Sequence, residues 1–195
     1  MVIIRNGVSM ANINKNDLFE QIMDHGIDTR SRIVYCDDDI EEELRKKVVR
    51  GLKLLDRTDG PIRVVLTSCG GSVDDGMAIY GAIKNCRNEV TIEIQGIAAS
   101  MGSIIAMAGD YIEMSASAKI MIHYGSISLE DHHLNAKMTM ADNDRHNEWM
   151  VDMFLKKIKQ KKPRYTKKKF EENITFDKYI YADEALKLGL IDRII

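Results

Sequence analysis

Ile40, Leu44, Val48 and Leu52 recur every fourth residue, a period that lines them along one side of a helix and predicts that this helix packs on a sheet. Asp39 and Glu42 stand at capping-box spacing, so the helix is expected to begin near Asp39. The run Ile62-Arg63-Val64-Val65-Leu66-Thr67 then reads as a buried strand, Gly70-Gly71 as a turn, and residues 77–83 as a second packed helix. The order repeats. Val90-Thr91-Ile92-Glu93-Ile94 alternates as a strand does, Gly96-Ile97-Ala98-Ala99 reads as a turn, and Ser100 opens a helix of small residues reaching Ala108. Two strands that each feed a helix imply a parallel sheet. Residues 111–114 and 119–123 add short strands, 135–161 a long and mostly polar helix, and 183–188 a last helix stopped by Gly189 before a strand over 190–195. The pattern is that of an α/β domain with a projecting helical arm.

Composition narrows the class. A chain of 195 residues with 45% apolar content can bury one core, and a single domain over 1–195 is expected. Its 28 basic and 30 acidic side chains nearly cancel, leaving −2, so nothing global attracts nucleic acid or an anionic membrane. Cys36, Cys69 and Cys86 are odd in number and follow no metal-ligand spacing, which favours reduced thiols in the cytoplasm over a disulfide framework or a zinc site. The short Val2-Ile3-Ile4 run is too little for a signal peptide, and the weakly polar stretch 96–109 is too short to span a bilayer.

Chemistry is best sought at Ser100. A serine opening a helix after a strand has helix N–H groups and a positive dipole end beside it, and Ala98, Ala99 and Gly102 keep its flanks small. The Met101 N–H could then face a developing oxyanion, with a second donor from Gly70-Gly71 if adjacent parallel strands bring that turn alongside. Ser is equally a preferred helix cap, and no G-x-S-x-G elbow is present. His123 ends an alternating run, where active-site loops gather, and is a candidate base; a buried structural histidine would read the same way. Asp152, Asp177, Asp183 and Asp192 all lie downstream, and spacing does not choose among them. His132-His133 beside Glu130-Asp131 forms no i, i+4 ligand pair and reads as a solvated loop.

Cys69-Gly70-Gly71-Ser72-Val73, Gly76-Met77-Ala78-Ile79-Tyr80 and Gly96-Ile97-Ala98-Ala99-Ser100-Met101-Gly102 together resemble the Clp protease proteolytic subunit. Met121-Ile122-His123 resembles that family's histidine segment, and Asp177-Lys178-Tyr179-Ile180-Tyr181-Ala182 its aspartate segment. The resemblance implies a Ser100, His123, Asp177 triad, with Gly71 and Met101 giving the oxyanion-hole N–H groups. It implies a serine endopeptidase with a crotonase-like fold of repeated β-β-α units and a helical handle, here 135–161. It also implies ring assembly as a heptamer or tetradecamer, unfolded chains or peptides as substrates, and an AAA+ unfoldase ATPase as partner. No cofactor is expected, and the sequence has no P-loop of its own.

Departures mark a divergent member. Cys69 stands where the family usually has proline, Tyr124-Gly125 where it has glutamine and proline, and 126–131 where it has a glycine-rich strand. A capsid-maturation or signal-peptide peptidase on the same fold, and the acyl-CoA hydratase or isomerase branch of the crotonase fold, are the alternative enzymes. An inactive ring subunit is the non-enzymatic one. For the arm, Met138, Trp149, Met150, Met153, Phe154 and Ile158 are expected to find burial against another subunit. The run 156–169, with nine basic residues, reads as a solvated arm end or an acidic-partner contact.

Overall fold

A computed structural model describes residues 15–125 and 132–195; the Val2-Ile3-Ile4 run, the 126–131 segment and the Glu130-Asp131 part of the metal reading lie outside them. The chain runs α1 (Lys15–His25), β1 (Ile27–Asp28), β2 (Ile33–Cys36), α2 (Glu42–Leu55), β3 (Ile62–Ser68), α3 (Val73–Lys84), β4 (Val90–Ala99) and α4 (Met101–Ala106). It continues through β5 (Tyr111–Met114), β6 (Lys119–Ile122), α5 (His133–Lys161), α6 (Lys167–Asn173), β7 (Lys178–Tyr181), α7 (Ala182–Leu188) and β8 (Arg193–Ile194). The strands form one sheet in the order β1-β2-β3-β4-β5-β8, with β6 joined to β4 and β7 to β6. All pairs are parallel except β1 with β2 and β6 with β7.

Alternation sets the two faces of the sheet. Ile62, Val64 and Leu66 of β3 and Val90, Ile92 and Ile94 of β4 are buried on one face, and Leu44, Val48 and Leu52 of α2 are buried in the same cluster. On the other face Arg63 bridges Glu93 and Glu113 on successive strands, and Arg193 takes the second Glu113 oxygen. The four charges satisfy one another, which lets Glu113 sit only 4% exposed.

Three expectations change. The helix predicted from Asp39 starts at Glu42, with Glu41 as its N-cap and no side-chain cap bond. The cause is Ile40, whose backbone forms a bridge with Gly71 and is thereby held extended. Helix α3 begins at Val73, before the predicted Met77, because Ser72 Oγ accepts the Asp75 N–H at 3.3 Å and Asp74 and Asp75 favour the first turn. The predicted turn at 96–99 is instead strand: β4 runs on to Ala99, with Gly96 at φ 70° re-aiming it so that Ile97, Ala98 and Ala99 pair with β6 after Thr91–Ile94 have paired with β5.

Helix α5 also departs from expectation. Met150, Phe154 and Ile158 are buried in this subunit's own core beside Phe170, and Trp149 meets Tyr80 edge-on at 5.2 Å. Met153 packs against the same cluster, so another subunit is not needed to cover these groups. Leu134, Met138 and Met140, toward the amino-terminal end, remain exposed. The i, i+4 stripe Met150, Phe154, Ile158 is what anchors the carboxyl half.

Candidate active site

Parallel registration of β3 on β4 pairs Ser68 with Ala98, which carries Gly70 to the side of Ser100. The approach is close: a Cβ on Gly70 would stand 2.8 Å from Ser100 Cβ and 3.3 Å from Met101 N. Gly70 and Gly71 have φ of 108° and 146°, a backbone that favours glycine. Gly70 O accepts the Ile40 N–H at 2.8 Å, and Ser72 N–H donates to Ile40 O at 2.7 Å. With the Ser72 N–H turned toward Ile40, the Gly71 N–H, one residue earlier in the extended bridge, faces the other way.

Ser100 follows β4 directly and has φ 52° and ψ −121°, one of two non-glycine residues with positive φ among the described residues. Such a conformation costs on the order of 1–3 kcal/mol and persists only where the surroundings enforce it. Here the Ser100 N–H donates to Met121 O at 2.9 Å, and its carbonyl accepts the Ser103 N–H at 3.0 Å and the Ser103 hydroxyl at 2.6 Å. Although Ser100 is the N-cap of α4, its side chain caps nothing. Its Oγ lies 2.8 Å from His123 Nε2 instead, so the reading of Ser100 as a mere helix cap is set aside. The strand, sharp turn and helix of a nucleophile elbow are present without the G-x-S-x-G sequence.

His123 stands at the end of β6, and its other ring nitrogen, Nδ1, is 3.2 Å from Asp177 Oδ1. The reason is antiparallel pairing of β7 on β6, which sets Ile122 opposite Lys178 and so brings Asp177 beside His123. The rival aspartates are occupied elsewhere: Asp152 pairs with Lys167, Asp192 with Lys157 and the Ile112 N–H, and Asp183 lies in the first turn of α7. The His123 side chain is 26% exposed and that of Asp177 is 54% exposed, so the site is open to water. Met101 lies in the first turn of α4, with its side chain against Gly76, where a Cβ would approach Met101 Cε to 2.8 Å.

Ser68 and Ser103 were not singled out by the sequence, and Ile40 was read only as part of a helix stripe, yet each touches this region. Ser68 Oγ accepts the Gly70 N–H at 3.1 Å, and Ser68 and Ser103 are two of the few buried polar residues. Only the S-x-x-S spacing of Ser100 and Ser103 could have hinted at their contact. Cys69, beside Gly70, is exposed, whereas burial pushes the Cys36 thiol up to about 12 and that of Cys86 up to about 11. Among the described residues no group of three His, Cys, Asp or Glu side chains could hold a metal ion, and no helix is long and apolar enough to cross a membrane.

Comparison with known proteins identifies the family. A family model for Clp protease matches residues 16–195. The chain is 28% identical over 170 residues to the ATP-dependent Clp protease proteolytic subunit of Deinococcus radiodurans, covering 85% of this chain and 81% of that protein. It is 32% identical over 173 residues to ATP-dependent Clp protease proteolytic subunit 2 of Prochlorococcus marinus strain MIT 9312, covering 84% and 81% respectively. With proteolytic subunit 1 of Protochlamydia amoebophila it shares 29% over 174 residues, covering 85% and 81%.

Proposed function

The chain belongs to the Clp protease family, with the crotonase-like fold that membership implies, and from that premise we propose that it is the serine peptidase subunit of an ATP-coupled degradation machine. Peptide bonds are hydrolysed by Ser100, His123 and Asp177. The observation that carries this is the pair of contacts on one imidazole, 2.8 Å from Nε2 to Ser100 Oγ and 3.2 Å from Nδ1 to Asp177 Oδ1. Asp177 holds the proton on Nδ1, leaving Nε2 free to accept the Ser100 proton as Oγ attacks the scissile carbonyl. The tetrahedral oxyanion rests on the N–H groups of Gly71 and Met101. His123 then gives its proton to the leaving amine, and water releases the acyl group by the same steps in reverse.

ATP is consumed by a partner, an AAA+ unfoldase ATPase, a reading supported by the relatives named ATP-dependent Clp protease proteolytic subunits. The partner delivers unfolded protein. Subunits associate into a ring of seven, alone or stacked in pairs, that encloses the sites, and the exposed Leu134, Met138 and Met140 of α5 suit such contacts. A reducing cytoplasmic setting suits three free thiols. A hydratase or isomerase of the acyl-CoA type would have no use for a serine hydroxyl hydrogen-bonded to a histidine.

Intact-mass measurement after treatment with a fluorophosphonate tests the peptidase, beside native mass measurement of the same sample. One adduct per chain is expected, absent in Ser100→Ala, on a species of seven or fourteen subunits. Unlabelled wild-type protein, or unchanged peptide hydrolysis by Ser100→Ala, overturns the mechanism.

A further inference from the structure

Ser103 lies three residues after Ser100 in the first turn of α4 and is 1% exposed, and its helix neighbours Met101, Gly102, Ile104, Ile105 and Ala106 are all buried. A hydroxyl taken out of water costs free energy unless it is hydrogen-bonded, and alanine would fill the same space without that cost. Its partner is the Ser100 carbonyl, at 2.6 Å. That carbonyl does not need a third donor, because the N–H groups of Ser103 and Ile104 already reach it at 3.0 and 3.4 Å. What the hydroxyl adds is direction.

The Ser100 carbonyl and the Met101 N–H belong to one planar peptide unit and point to opposite sides of it. Fixing the oxygen therefore fixes the aim of the N–H. The torsion that sets this plane is ψ of Ser100, at −121° with φ of 52°, a sparsely populated conformation that needs outside restraint. A short bond to the carbonyl also polarises the peptide unit and strengthens its N–H as a donor. The other half of the site is arranged in the same way by backbone alone, since Gly70 O is held by the Ile40 N–H at 2.8 Å and the Gly71 N–H shares that peptide plane.

We infer that Ser103 is a positioning residue for the oxyanion hole, acting through the Ser100 carbonyl to aim the Met101 N–H at the tetrahedral oxyanion. This rests on the reading in which Ser100 is the nucleophile and Met101 a donor.

The test compares Ser103→Ala, Ser103→Thr and Ser103→Cys in the full chain, assembled as the wild type is. For each, kcat and KM on a fluorogenic peptide are normalised to sites titrated by fluorophosphonate. Affinities are measured for a peptide aldehyde, whose adduct with Ser100 carries the oxyanion, and for the matching peptide amide, which binds without reacting. Removing a whole oxyanion donor costs about 10²–10³ in kcat, so misaiming one in Ser103→Ala is expected to cost about tenfold, with KM unchanged. Aldehyde affinity should fall by the same factor and amide affinity stay constant. Thr, which keeps the hydroxyl, should restore both, and Cys, a weaker donor, should fall about threefold. Wild-type kcat per titrated site in Ser103→Ala overturns the inference, as does a loss shared equally by the amide. Should Ser103→Ala fail to fold, Ser103→Cys decides, and wild-type kcat with wild-type aldehyde affinity there overturns it. Failure of the wild type to take the fluorophosphonate would instead sink the peptidase reading itself.

Discussion

Gly71→Ala should damage stability and catalysis together, and the structure says by how much. A Cβ on Gly71 would run into the Ile40 carbonyl oxygen and stand 2.9 Å from both Ile40 N and Ile40 C. These are backbone atoms and have no rotamer to escape into. The bridge must open, and with it go the Ile40 N–H bond to Gly70 O at 2.8 Å and the Ser72 N–H bond to Ile40 O at 2.7 Å. Each is worth about 1 kcal/mol net. Holding alanine at φ 146° adds strain on the order of 1–3 kcal/mol. A loss of about 3–5 kcal/mol is expected in urea denaturation. Displacing the Gly71 N–H should lower kcat by about 10²–10³. Gly81→Ala in α3 is the control: nothing stands within 4 Å of a Cβ there, and helix propensity favours alanine by about 0.5–1 kcal/mol. Peptide hydrolysis per titrated site and urea midpoints on both variants give the comparison. If Gly71→Ala kept activity within a factor of about two and lost no more stability than Gly81→Ala, the role of the glycine turn would be wrong.

Asp177→Asn should lower kcat by about 10², less than the ~10⁴ known for a buried triad aspartate, because this side chain is 54% exposed and water can share its task; a loss under about threefold would remove Asp177 from the mechanism. A bulky maleimide at pH 8 should react first with exposed Cys69 and block peptide hydrolysis, while Cys36 and Cys86, whose thiols burial holds at about 12 and about 11, stay unmodified. Inhibition that persists in Cys69→Ala would refute this. Cys36 also predicts an alkaline weakness. Folded, its thiol keeps its proton to about 12, whereas in the unfolded chain it ionises near 8.5, so stability falls as pH rises between those values. From pH 8 to 10 the wild type should lose about 2 kcal/mol more than Cys36→Ala in urea denaturation, and parallel declines would refute the assignment.

Much of the fold follows from short-range pattern. The alternation of β3, the periodic face of α2 and the Gly189 stop, which has φ 82° in the structure, are each decided by a few neighbouring residues. The early start of α3 is set locally by the Ser72 cap, and the other failures depend on distant partners. Nothing near Gly96 says that β4 continues, because the continuation is held by β6. Nothing near Asp39 says that Ile40 is pinned to Gly71. On α5 the apolar stripe was legible, but its polar surroundings suggested an arm, and the cover supplied by Phe170 and Tyr80 comes from segments on either side in sequence. The candidate site divides likewise. Ser100 and His123 stand out locally, at a helix start and a strand end. Asp177 does not: four aspartates were open, and family resemblance, not spacing, chose the one that β7 sets beside His123.

The geometry of the site is a consequence of how β4 changes partners. Its first half is flanked by β3 and β5; after Gly96 its second half keeps β3 through Ser68 and Ala98 but exchanges β5 for β6. This change of partners falls at the carboxyl ends of β3 and β4, which is where parallel sheets collect chemistry. From Ala99 opposite Met121 the ladder has one rung more, Ser100 N–H to Met121 O at 2.9 Å, so the serine backbone is tied to the strand that ends in His123. On its other side β6 holds β7 with Met121 opposite Tyr179 and Ile122 opposite Lys178. Three segments remote in sequence are thus registered by one hydrogen-bonded ladder. A slip of one residue in either pairing would move every side chain beyond it to the opposite face and part the 2.8 Å and 3.2 Å contacts at His123. Ile180 is the one buried residue of β7 and stands opposite Ile120, so a slip would put exposed Tyr179 or Tyr181 in its place, and the same apolar contact that closes the core also holds the proposed triad in register.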